Sequence, residues 1–109
     1  MPKPKRATET ILPAGADIQA EAARWLAHLK SERRLSPKTL EAYERDLRQC
    51  LTFLAEHWGK AVSLKAFAAI EATDVRAFMA ARRSDDIGGR SLMRALAGLR
   101  SFGRFLERE

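Results

Sequence analysis

Ser36, Lys38 and Thr39 stand within one four-residue stretch, and Tyr43 follows about one helical turn later. Hydroxyls, an ammonium and a phenol at that spacing suit an oxyanion, above all a phosphate. The hydroxyls bond its oxygens and the cation offsets its charge. A second set lies near the other end of the chain. Arg90, Arg94, Ser101 and Arg108 recur at helical steps along one edge, with Ser91 adjoining and Arg100 and Arg104 beside them. Guanidinium forks reach phosphates and guanine edges, and serines bond phosphate oxygens. Each set also has a plainer reading. The first is ordinary helix capping, and the second is an ordinary solvated helix face.

The elements that must hold these residues are helices. Ser36 is placed to cap, Pro37 fits the first helical position, and Leu35 with Leu40 has the spacing of a hydrophobic staple. A helix start of this kind also presents free N–H groups and partial positive charge to an anion. Leu40, Tyr43, Leu47, Cys50, Leu51 and Leu54 then keep a three-and-four period, which predicts a helix ending near His57 with Gly59 as its stop. Ile18 to Leu29 predicts an earlier helix over 17–33. Residues 63–69 predict one short turn or helix.

Thr73 is expected to cap a third long helix, with Val75, Phe78 and Met79 facing in. Ser84 to Gly89 reads as a loop. The last helix is expected over 90–107, with Leu92, Met93, Leu96, Leu99, Phe102 and Leu106 as its apolar face. Gly98 interrupts it at a cost of roughly 1 kcal/mol relative to alanine. Its small size suits either a neighbouring helix or a close nucleic-acid backbone. No strand alternation appears, so the fold class is all-α, a bundle of four main helices.

Length and charge narrow the partners. The 109 residues make one domain. Lys plus Arg is 20 against 14 for Asp plus Glu, a net charge of +6 that favours nucleic acid, an acidic protein or an anionic membrane. Arginine outnumbers lysine 14 to 6, and arginine is the better phosphate fork. Residues 1–16 carry three of the four prolines and a basic start, and read as a flexible basic arm, with a folded unit over 17–109. No apolar run is long enough to span a bilayer and no secretory signal is present, so no membrane role and a cytoplasmic address are expected.

The single cysteine, Cys50, rules out an internal disulfide and falls in register with Leu47 and Leu54 as a small core residue. His28 and His57 lack metal-ligand spacing, so no metal and no cofactor are expected. Nothing assembles a nucleophile, a base and an oxyanion site. The chain reads as one that binds rather than one that catalyses. A module docking on an acidic protein and a dimeric helix-turn-helix regulator remain open beside DNA binding.

Several segments in order resemble a known family. Trp25-Leu26-x-x-Leu29 is followed by Leu35-Ser36-Pro37-Lys38-Thr39-Leu40-x-x-Tyr43-x-x-Asp46-Leu47 and by Phe53-Leu54. Thr73-Asp74-Val75-Arg76-Ala77-Phe78-Met79-Ala80 comes next, and then Arg90-Ser91-Leu92-x-Arg94-x-Leu96-x-x-Leu99-Arg100-Ser101-Phe102-x-Arg104-Phe105-Leu106. Together they resemble the N-terminal core-binding domain of tyrosine recombinases, in the bacterial Xer subgroup and on its XerC side, over about residues 18–108. The resemblance implies a SAM-like orthogonal four-helix bundle that grips one face of double-stranded DNA through its second and last long helices. That matches Ser36, Lys38, Thr39, Arg90, Ser91 and Arg94. Tyr43 would pack its ring and offer its hydroxyl to a phosphate.

The resemblance further implies a catalytic domain, expected to be absent from this chain, whose tyrosine forms a 3′-phosphotyrosyl link; Tyr43 is not that nucleophile. Implied partners are sister recombinase protomers on DNA and a septal DNA translocase, in the resolution of chromosome or plasmid dimers. A monomer is expected in solution. Gly103 stands where the resemblance leads one to expect an aromatic after Phe102.

Overall fold

Three of the helix starts carry a polar cap in the local sequence. A computed structural model of the chain describes residues 14–108 and contains helices α1 (Ala16–Ser31), α2 (Pro37–Trp58), α3 (Leu64–Ala68), α4 (Ala72–Ser84) and α5 (Gly89–Arg108). The all-α expectation of four main helices is met, and the short segment expected as a turn or helix is a helix. Of the expected basic arm over residues 1–16, residues 1–13 lie outside the described residues. Ala14 bridges Val62, and the Gly15 amide donates to the Val62 carbonyl at 2.8 Å.

Ser36 caps α2 as expected, its Oγ accepting from the Thr39 amide at 3.2 Å. Ser63 does the same for α3 through the Ala66 amide. The α2 stop is also as expected: Gly59 takes φ 77, left-handed backbone that glycine adopts without penalty, and its amide donates to Ala55 O. One expected cap is corrected. The N-cap of α4 is Glu71 rather than Thr73. Asp74 reaches back to the Glu71 amide at 2.9 Å, so the helix starts two residues earlier and Thr73 falls inside its first turn.

The core gathers where the long helices cross. Trp25, Phe78, Phe102, Ile18 and Leu54 are fully buried. Trp25 meets Phe102 at 5.1 Å between ring centres, and Phe102 meets Phe67 at 5.4 Å. Such pairs contribute about 0.5–1.5 kcal/mol each beyond area burial. The most extensive helix–helix contact is between α2 and α5, so the two helices that carry the candidate site residues are also the most closely joined.

The α5 apolar face is only partly covered. Leu92 and Phe102 are buried, Leu96 and Leu99 are half-buried, and Met93, expected to face in, is 61% exposed. Met93 lies off the side of α5 that meets α1 and α2, so nothing covers it. No helix among the described residues is long and apolar enough to cross a membrane.

Candidate nucleic-acid interface

The start of α2 holds Ser36, Lys38 and Thr39 together. Ser36 Oγ and Thr39 Oγ1 lie 3.0 Å apart, and both Ser36 and Lys38 are exposed. Pro37 has no N–H to offer, and the Leu40 amide is taken by the Ser36 carbonyl. The anion-directed character of this end therefore rests on its hydroxyls, on the Lys38 ammonium and backbone N–H, and on the helix dipole.

Lys38, Arg45 and Gln49 then fall on one line along α2. Lys38 and Arg45 are two turns, about 10 Å, apart at 1.5 Å per residue. Arg45 is exposed and has no ion-pair partner among the described residues.

The start of α5 supplies Arg90, Ser91 and Arg94. Arg90 is exposed and Ser91 half-buried. Arg94 makes a two-pronged bond across the helix interface, with Nε donating to Asp46 Oδ2 at 2.8 Å and an Nη donating to Asp46 Oδ1 at 2.9 Å. Asp46 is only 4% exposed, whereas the Arg94 side chain is 35% exposed. The hydrogen bond to Asp46 raises the Arg94 pKa still further above its ordinary value. The pair fixes the register of α5 on α2, and one edge of the guanidinium remains open to solvent.

Around that pair the surface is concave. Arg45, Gln49, Arg82, Ser91 and Arg94 line a hollow of about 310 Å³ between α2, the end of α4 and the start of α5. Three guanidinium groups and one carboxylate, Asp46, line it, and only Arg94 bonds that carboxylate, a balance that suits a phosphate. Arg82 is shared with Asp85 at 3.6 Å. Sequence reasoning missed Arg45, Gln49 and Arg82. For Arg45 and Gln49 the signal was present, because they continue the Lys38 line at helical spacing. For Arg82 there was none, since only the fold brings the end of α4 to this place.

Tyr43 and Ser101 lie deeper. The Tyr43 ring stacks on Trp25 at 5.9 Å with planes 5° apart. A Cβ on Gly98 would meet Tyr43 Cδ1 at 3.2 Å, so the glycine leaves room for a neighbouring ring. Of the two uses expected for Gly98, this geometry is the helix-packing one. Ser101 Oγ accepts from the buried Trp25 indole N–H at 3.0 Å. Its hydroxyl hydrogen and second lone pair remain available. The structure thus gathers Ser91 and Arg94 around one hollow with Arg90 beside it, aligns Lys38 with the same hollow along α2, and turns Tyr43 and Ser101 toward the core.

The rest of the chemistry is quiet. Burial pushes the Cys50 thiol up to about 12, so it is unreactive near neutrality. No group of three or more metal-ligating side chains exists among the described residues. His57 Nε2 lies 3.6 Å from Asp74 Oδ1, on a carboxylate that also accepts from Trp58 Nε1. That cluster joins the end of α2 to the start of α4.

Residues 22–109 match the family model described as phage integrase, N-terminal SAM-like domain. Curated relatives of high identity carry the name tyrosine recombinase XerC. The chain is 74% identical over 107 residues to that of Bradyrhizobium diazoefficiens, covering 96% of this chain and 33% of the relative. It is 69% identical over 96 residues to that of Nitrobacter winogradskyi, covering 88% and 30%. For a Methylobacterium protein the identity is 56% over 99 residues, covering 91% and 31%. The chain therefore spans about a third of the length of these relatives. No solved structure matches it.

Proposed function

The chain belongs to the N-terminal SAM-like domain family of phage integrases, and from that membership we propose that it is the DNA-gripping domain of a XerC-type tyrosine recombinase. The observation that carries this reading is the 74% identity over 107 residues with a tyrosine recombinase XerC. The geometry supports a duplex lying along α2 and the start of α5. Ser36, Lys38 and Thr39 take a phosphate at the start of α2. Arg45, Arg82, Ser91 and the open edge of Arg94 take the backbone at the hollow, and Arg90 reaches over the groove.

Tyr43 works as a packing ring, not as a nucleophile. Strand cleavage, through a 3′-phosphotyrosyl link, belongs to the remaining two-thirds of the relatives' length. In the whole enzyme this domain would hold one face of the recombination site beside sister protomers during dimer resolution in the cytoplasm, with a septal DNA translocase as activating partner. Off DNA the domain is expected to be a monomer, since the sister protomers would meet only on the recombination site.

Fluorescence anisotropy tests the reading. The chain is titrated into a labelled Xer-type recombination duplex and a scrambled duplex at low and moderate salt. A steep fall of affinity with salt is expected, with a log–log slope of about −0.9 per phosphate neutralised. Removing Lys38 should flatten that slope by about 1 on both duplexes. Absence of binding at low salt would refute the assignment and favour docking on an acidic protein.

A further inference from the structure

Val75 and Met79 of α4 and Leu96 and Leu99 of α5 all sit at positions that sequence periodicity assigns to the core. All four are only half-buried. With Phe67 and Ile70 they form the floor of a groove of about 700 Å³ between α3, α4 and α5. Apolar side chains on two adjacent helices, left uncovered in one concave strip, favour contact with a further apolar surface.

Gly103 lies in the same groove, and a Cβ built on it would meet nothing within 4 Å. An aromatic expected at this position would fill part of the space. Here the space is open.

The rim of the groove is uniformly basic. Arg76, Arg83 and Arg100 line it, all three exposed. None has an ion-pair partner among the described residues, and no carboxylate lines the groove. The groove shares no lining residue with the hollow around Arg94.

We propose that this groove is a docking site for an acidic amphipathic helix of a partner protein. An apolar ridge with side chains at i, i+3 or i+4, and i+7 would enter the floor, one large side chain would fill the space above Gly103, and flanking carboxylates would meet Arg76, Arg83 and Arg100. Charge complementarity selects this occupant over others. A second copy of the chain would set arginine against arginine within a net charge of +6 on each molecule. A DNA backbone could pair with the rim but would leave the apolar floor against phosphate and sugar. The site is separate from the proposed DNA contact, so it holds whether or not that reading stands.

The test uses a fluorescein-labelled helical peptide of roughly 18 residues, about 27 Å long, with leucines on one face and glutamates on the other. The controls are a scrambled peptide of the same composition and the DNA duplex. The expected result is saturable binding of the amphipathic peptide, at least about tenfold tighter than of the scrambled one. Gly103→Phe should weaken it about tenfold by filling the groove, and Arg83→Glu should weaken it by a similar factor through charge reversal. Both variants should keep the wild-type circular dichroism spectrum, and the charge-neutral Gly103→Phe should also keep the wild-type DNA affinity.

Equal binding of both peptides, or undiminished binding to Gly103→Phe, would overturn the proposal, as would absence of peptide binding. Loss of DNA affinity in Gly103→Phe with its helicity intact would assign the groove to DNA instead. If the wild-type chain binds the peptide but not DNA, only the DNA reading fails.

Discussion

At the scale of single residues, the pair between Asp46 and Arg94 decides most. A buried carboxylate is costly unless it is paired and hydrogen-bonded, and here both oxygens of Asp46 accept from one guanidinium. Arg94→Ala would strand that carboxylate in the core and should cost about 2–3 kcal/mol, less than a fully buried pair because the arginine end is partly solvated. Replacing both partners by apolar residues, as in Asp46→Leu with Arg94→Met, should recover stability to within about 1 kcal/mol of the parent. Urea unfolding of the two single variants and the double variant measures the coupling directly. Strict additivity would mean that the pair does not act as a unit. The sequence marked Arg94 as an outward-facing phosphate fork, whereas the structure shows it also bonded inward to α2. Periodicity shows which face a residue occupies but not which partner crosses from another helix.

At the scale of elements, two glycines of α5 behave differently. Gly98 faces Tyr43 and has no room to spare, whereas Gly103 faces open space. Gly103→Ala should stabilise the domain by about 0.5–1 kcal/mol, because alanine is the better helix former and meets nothing. Gly98→Ala should gain nothing net, since the same propensity gain is spent moving the Tyr43 ring. Thermal unfolding checks both, with about 4–8 °C expected per kcal/mol for a domain near 100 residues. Equal shifts at the two sites would contradict the packing account.

Helix starts were the most legible elements in the sequence. Ser36-Pro37 carries its cap in local chemistry, and Gly59 carries its stop. The start of α4 was misplaced because Glu71 with Asp74 competes with Thr73 as the local signal. Met93 was misplaced because its spacing fits the apolar stripe, yet the three-dimensional fold leaves that side of α5 bare.

At the scale of the whole molecule, two surfaces differ in character. The basic face runs from Lys38 along α2 to the hollow between α2 and α5. The apolar groove between α4 and α5 presents a separate ring of arginines. A net charge of +6 on a body of 44 × 29 × 27 Å draws any duplex in from a distance, so overall attraction does not identify the face that grips it. Amide chemical shifts do. The most direct measurement is a nuclear magnetic resonance titration of the isotope-labelled chain with a Xer-type duplex, following each backbone amide. The account predicts that shifts concentrate at Lys38, Thr39, Arg45, Arg90 and Ser91, and that Arg76, Arg100 and Gly103 stay unmoved. Shifts centred on the α4–α5 groove, with the start of α2 unperturbed, would contradict it.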